Sequence, residues 1–324
     1  MAKFIGRLAD IGIAKEASRG SAEASVDFWL PKLSLTLDDG IEQVIDESSV
    51  GVIADGVDAK VVGKFATGEI EGNIGDKSFG LILLAALGGL STTGPSQTTV
   101  YTHAFSVQED AQHDSLTLFL DDPNQDYTYA LGMIDTLEID ASLGQFVRFM
   151  ASFRSKVGAT ATLTPSYTAE NKFLAQHITM KYDDDEDNLA SGTEFNVRSV
   201  KLTIAKNVED DRKLGSLDPV DILNKQLAIE GTMEMVFDAN TFKTLMLADT
   251  AKALRIQIAN TDVTIGSSLN PKITIDLAKV KFSEFVKNYS NNDIVVATVQ
   301  FKAFYSTTES EMITVELVNE QASY

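Results

Sequence analysis

Slid against itself by 167 residues, the sequence repeats its own pattern. Phe28, Leu30, Leu33, Leu35, Thr36, Leu37, Ile41 and Glu42 fall on Phe195, Val197, Val200, Leu202, Thr203, Ile204, Val208 and Glu209. A slide of 163 places Gly68, Ile70, Glu71, Ile74, Ser78, Phe79, Ile82 and Leu84 on Gly231, Met233, Glu234, Phe237, Thr241, Phe242, Leu245 and Leu247. Further on, Leu116–Leu120 matches Leu254–Ile258, and Phe153 matches Phe301. Two strand-rich segments share alternation by chance once. Matches that keep their order, with a helix at the same place, indicate an internal duplication, and such a chain folds as two like units.

The local patterns say what those units are. Leu33, Leu35 and Leu37 alternate with Lys32, Ser34 and Thr36, and Ile273, Ile275 and Leu277 alternate with Lys272, Thr274 and Asp276. Period-two alternation rich in Thr, Val, Ile and Phe marks half-buried antiparallel strands. Asp38-Asp39-Gly40, Asp121-Asp122-Pro123-Asn124 and Asn270-Pro271 supply the turns between them. Only two stretches read as helices. Asp76 or Ser78 can cap Phe79 to Leu87, closed by Gly88, and Asp238 or Asn240 can cap Phe242 to Ala253.

The expectation is a mainly β (α+β) chain of two tandem β-sandwich domains, each with one short helix and a long inter-strand loop. Residues 1–25 read as an N-terminal arm, 26–167 as the first copy with an insertion at 88–114, and 195–324 as the second copy. Between them, 168–194 carries KYDDDEDNLASGTE and reads as a solvated acidic linker or hairpin. Long polar loops at Asp38 to Lys64 and Lys206 to Lys225 occupy equivalent places. Loops above about 12–15 residues are uncommon in compact domains unless they have work to do.

Composition narrows the function. There are 27 Lys and Arg against 47 Asp and Glu, a net charge of −20, three His and no Cys. That balance excludes a generic nucleic-acid binder and an anionic-membrane binder. Without Cys there is no disulfide, zinc–thiolate site, iron–sulfur cluster or thiol nucleophile. The N-terminus lacks the apolar stretch of a secretory signal, so synthesis in a cytoplasm is expected. Leu81–Leu90, the most apolar run, is far short of the roughly 20 residues that span a bilayer.

Few residues suggest chemistry. Asp183, Asp185, Asp187 and Glu194 imitate a calcium loop, but Asn188 stands where its turn needs Gly and the flanks are strand-like. A solvated acidic segment is the better reading. His103, His113 and His177 lie in or near polar loops, and no Ser sits in a G-x-S-x-G elbow. Glu69 and Glu71 alternate on a strand and read as a solvated face, and Trp29 and Phe28 read as core. Gly68 and Gly72 precede a helix, but their antiparallel context does not suit a phosphate cradle, and Gly68 recurs as Gly231, a sign of close packing. No catalytic residue, cofactor or resident metal is expected.

The opening GIAKEASRGSAEASVDFWLP, the GEIEG segment before a short helix, and the closing Ile313-Thr314-Val315-Glu316-Leu317-Val318-Asn319 strand together resemble the phage tail tube (major tail) proteins. The resemblance implies a structural virion protein that stacks in rings to form the conduit for DNA ejection. Its implied partners are further copies of itself, the tail terminator, tape-measure and tail-tip proteins, and double-stranded DNA as a cargo that does not adhere. No membrane is implied, and the place of action is the virion tail after synthesis in a bacterial host.

Six tube domains usually make a ring, so a duplicated chain implies three subunits with pseudo-sixfold character. Four inner-wall strands per domain would close about 24 strands, a backbone diameter on the order of 45–50 Å. The long loops would contact the adjacent ring. Glu69, Glu71, Glu138, Asp140, Glu234 and Asp276 would line the lumen and repel phosphate. The other readings of the chain are a virion decoration or host-attachment module, and a carbohydrate-active enzyme using an Asp/Glu pair.

Overall fold

The computed structural model describes residues 3–324, so the first two residues of the expected arm lie outside the described residues. The first half comprises β1 (Asp10–Lys15), β2 (Phe28–Leu30), β3 (Lys32–Asp46), β4 (Asp58–Asn73), α1 (Phe79–Leu87), β5 (Gly88–Ser96), β6 (Val100–Val107), β7 (Leu116–Asp121), β8 (Asp126–Ser142), β9 (Arg148–Ser155) and β10 (Ala159–Ala161). The second comprises β11 (Ile178–Asp183), β12 (Thr193–Phe195), β13 (Ser199–Ala205), β14 (Glu209–Asp211), β15 (Asp221–Leu223), β16 (Ala228–Val236), α2 (Thr241–Leu247), β17 (Lys252–Ala259), β18 (Lys272–Asn288), β19 (Val296–Ala303) and β20 (Ile313–Asn319). The chain is mainly β, with two short α-helices among the described residues.

Hydrogen-bonded neighbours in the first half run β2-β1-β7-β8-β9-β4-β3. In the second they run β12-β11-β17-β18-β19-β16-β13. The order is the same, and every pairing is antiparallel. β8 and β18 are 17 residues each, and each is interrupted by a bulge against its partner, between Ile134 and Thr136 and between Phe282 and Glu284. A bulge bends its strand, which lets each long strand serve two sheets. The early part of β8 lies beside β7 and β10, and its late part beside β9 and β13.

The β8–β13 ladder, Thr136–Ser142 against Ser199–Ala205, joins the halves. It produces one eight-stranded run, β3-β4-β9-β8-β13-β16-β19-β18. Its apolar face is part of a single core that crosses both halves, including Phe149, Phe153, Met233 and Phe301. Gly68 and Gly231 sit where the packing is tightest. A Cβ at Gly231 would come within 2.2 Å of the Phe301 ring, and one at Gly68 within 2.4 Å of the Thr36 carbonyl oxygen.

Several local expectations need correction. Leu202 lies opposite Gly231, whereas Gly68 lies opposite Leu37, not Leu35. In this ladder the matching offset is therefore 165. The two-residue shift leaves every side chain on the same face, because the pleat has period two. α1 has the expected bounds and is buried throughout, but neither expected cap works as one. The Ser78 hydroxyl and amide both donate to Glu170, and Asp76 accepts from Asn171. α2 stops at Leu247, short of Ala253. Asp249 turns left-handed at φ 52°, and the Thr250 amide returns to the Leu245 carbonyl at 3.0 Å, as in a Schellman ending.

The expected loop Asp38 to Lys64 is mostly a continuation of β3 and β4 into a projecting two-stranded arm, with a turn at 47–57. Lys206 to Lys225 contains the small β14–β15 hairpin. In the acidic segment 168–194, Ile178–Asp183 is an interior strand between β12 and β17, and the acidic run is the turn that follows. The insertion 88–114 forms the β5–β6 hairpin, and β6 pairs with β20. A hairpin from the first half thus widens a sheet of the second and covers α1.

Candidate functional site

The eight-stranded run has one apolar face turned to the core and one polar face. On β4, Ile70 is buried while Glu69 and Glu71 point the other way. Cross-strand register continues that face through Ser152 and Met150 to Thr136 and Glu138, and from Asp140 to Lys201 and Thr232. It reaches Glu234, then Thr298 and Val286. Five of the six lumen-lining candidates, Glu69, Glu71, Glu138, Asp140 and Glu234, therefore share one surface. Glu71 pairs with Arg148 at 3.5 Å, and Glu138 pairs with Lys201. Among the described residues Glu69, Asp140 and Glu234 have no ion pair.

Asp276 stands apart. It lies on the early part of β18, beside β17 and β20, and accepts two bonds from Arg255 at 2.7 and 2.8 Å. Nearby, burial and then the Glu311 charge push the Glu186 carboxyl up to about 8. The sequence alternation of β18 could not show that its two parts serve different sheets.

The run ends in two open edges. Among the described residues β3 pairs only with β4, and the late part of β18 only with β19. Tyr289, just past β18, is 70% exposed. No rule of composition marks an edge strand, and sequence reasoning missed both.

The arm carries an apolar surface. Ile41, Val44, Ile45, Val50, Val52, Ile53, Val57 and Val62 are all exposed, Ile53 completely. Its base is clamped by the second half. Arg212 donates to Glu42 at 2.6 and 3.0 Å and to Asp210 at 2.8 Å, Arg154 also binds Asp210, and the Lys64 amide donates to the Leu217 carbonyl at 2.9 Å. Burial alone would raise the Asp210 carboxyl, but the bonds from Arg154 and Arg212 hold it below its ordinary value. The loops at Asp38 to Lys64 and Lys206 to Lys225 are thus neighbours in space.

The Lys-Glu-Ala-Ser-Arg segment at 15–19 is a staple. Buried Glu16 accepts from the Gly20 amide at 2.6 Å, the Leu131 amide at 2.7 Å, the Ser115 hydroxyl at 2.5 Å and the Thr117 hydroxyl at 3.2 Å. Arg19 reaches Asp221 at 2.6 Å and the Ile222 carbonyl at 2.8 Å, across to the second half.

The titratable groups of the chain are dispersed. His103 is buried on β6, not in a loop, between Thr92 and the Gln321 carbonyl. Burial lowers the His103 and His113 rings, the latter to about 4. His177 contacts Asp262 at 3.1 Å. Asp183 ends β11, Asp185 and Asp187 lie on the exposed turn, and Glu194 is on β12 opposite Lys181. Among the described residues no three such side chains converge as metal ligands, and no helix is long and apolar enough to cross a membrane. Trp29 packs with Ala14 and Phe119 in a small core cluster.

A family model described as phage tail tube protein matches residues 6–303. No curated protein matches the chain.

Proposed function

The chain belongs to the phage tail tube protein family, and is a structural component of the virion tail, not an enzyme; from that premise we propose that three chains close a ring with pseudo-sixfold symmetry. In this reading 26–167 and 195–324 are tandem copies of one tube domain, and rings stack into the conduit through which DNA leaves. The matching strand order of the two halves supports the duplication.

One observation carries the ring. Within the chain, β13 of the second half is added to the late part of β8 of the first. β18 is the counterpart of β8, and β3 the counterpart of β13, yet both present open edges. Adding β3 of one chain to β18 of the next repeats the internal junction, a head-to-tail contact that must close or grow without end. The register transfers as well. Val200 opposite Ala141 becomes Leu35 opposite Tyr289 of the next chain. Each half supplies four strands, so three chains give the 24 expected for a DNA-sized bore.

The polar face then turns inward, where Glu69, Glu71, Glu138, Asp140 and Glu234 repel phosphate. The paired Asp38 to Lys64 arm and Lys206 to Lys225 hairpin stand at one end of the junction and contact the adjacent ring. Tail terminator, tape-measure and tip proteins meet the tube at its ends. Negative-stain microscopy of purified protein tests the reading. Rings or hollow tubes with threefold or pseudo-sixfold end views support it, and end views with any other symmetry overturn the trimer.

A further inference from the structure

The junction between the halves contains a second contact beside the paired strands. Lys172-Phe173-Leu174, ahead of β11, lies along the β8–β9 turn of the first half. The Val147 amide donates to the Phe173 carbonyl at 2.9 Å, and the Ala175 amide to the Gln145 carbonyl at 3.0 Å. Leu174 forms a β-bridge with Phe146. The Phe173 ring is completely buried in the core that contains Ile74 and Val147. The segment is a plug in a seat.

The first half has the same plug and, among the described residues, no seat for it. Lys3-Phe4-Ile5 repeats the Lys-Phe-aliphatic pattern at an offset of 169. A 3-10 turn follows each at that same offset, Gly6–Leu8 and Ala175–His177, and each leads into the matching strand, β1 or β11. Phe4 and Ile5 are 54% and 69% exposed.

The second half has the same seat and no plug. Its Phe237 amide donates to the Val295 carbonyl at 2.9 Å, as the Ile74 amide donates to the Val147 carbonyl at 2.9 Å. Ile294, in the place of Phe146, is 59% exposed. Among the described residues the Val295 amide, counterpart of the Val147 amide, has no acceptor.

We infer that Phe4 and Ile5 of each chain dock into the seat formed by Phe237, Ile294 and Val295 on the next copy of the chain. The occupant is a second copy because plug and seat lie at opposite edges of one sheet. The Lys32 ammonium on β3 donates to the Gly6 carbonyl at 2.9 Å, which holds the plug segment beside β3. Ile294 lies in the turn that ends β18. Joining β3 to β18 brings the two together, in the same way that β13 on β8 brings Phe173 to Val147. The inference rests on the ring reading and adds to it a backbone and side-chain lock outside the strand ladder.

The absence of Cys from the sequence makes the test direct. Three double variants are assembled and then oxidised. Leu174→Cys with Phe146→Cys is the reference for the bridge geometry within one chain, and closes without change of mass. Ile5→Cys with Ile294→Cys reports the inferred dock, and Leu35→Cys with Tyr289→Cys reports the strand edge. Expected on non-reducing gels is a ladder reaching three chains for both intermolecular pairs, absent from each single variant. If the edge pair links and the Ile5/Ile294 pair does not, the dock is overturned and the ring stands. If neither links while the reference closes, both are overturned.

Discussion

Glu16 and Arg19 are two residues of a short polar stretch, and their contacts hold the first half together and tie it to the second. Four donors converge on the Glu16 carboxylate, one of them the amide of Leu131, whose φ is 59°. Leaving a buried donor unpaired costs about 1–3 kcal/mol. Glu16→Ala should therefore destabilise the fold by at least ~3 kcal/mol, read as a lowered midpoint in urea, while Glu16→Gln should retain part of the loss. Lys206 poses the opposite case. Its side chain is buried and its ammonium nitrogen donates to the Ala85 carbonyl at the end of α1 at 2.7 Å. Burial, and then the Arg19 charge, lower it from 10.5 to about 7. The unfolded chain holds that proton between those values and the folded chain does not, so this group's contribution to stability rises with pH across the window. Lys206→Met should flatten that rise. Melting temperatures of the two proteins between pH 6 and 10 check it, and parallel curves would remove Lys206 as the cause.

Strands were legible wherever alternation was clean, and α1 because nine apolar residues ending at a glycine have few other uses. What alternation cannot carry is partnership. Leu33 to Leu37 read equally well whether β3 is an edge or an interior strand, and the same periodicity runs through the bulge of β18 although Asp276 and Glu284 end in different sheets. The projecting arm reads as a loop in the sequence because its polar residues hide a ladder made by backbone groups. Its apolar residues were visible but unplaced. Exposed β-branched residues on a two-stranded arm are an aggregation hazard unless something covers them. On the stacking reading the adjacent ring does so. Val52→Asp with Ile53→Asp should leave rings intact, since the base of the arm is held by Arg212 and Asp210, and should shorten or abolish tubes. Counting rings against stacks in micrographs decides it, and normal tube lengths would assign the arm to another partner.

For the molecule as a whole, a net charge of −20 excludes DNA as a generic ligand, and on the ring reading the same charge becomes a property of a passage. Among the described residues, Glu69, Asp140 and Glu234 sit on the shared polar face without an ion pair. Changing all three to Lys should leave assembly intact and make tubes hold duplex DNA, with affinity falling steeply as salt rises, because each phosphate contact releases counterions. Filter binding at several salt concentrations measures this, and tubes that stay inert to DNA would show that the face does not look inward. The bulges at Asp135 and Ser283 carry one more implication. Each is the point where a long strand leaves one sheet for another, and each half has one at the same place in its ladder. On the ring reading, a turn repeated at every such point helps to set the curvature of the wall, and with it how many halves complete the circle. The calibre of the tube would then be a local property of two strands, inherited by every ring regardless of how many are stacked. A stack of such rings could then take any length and keep the same bore.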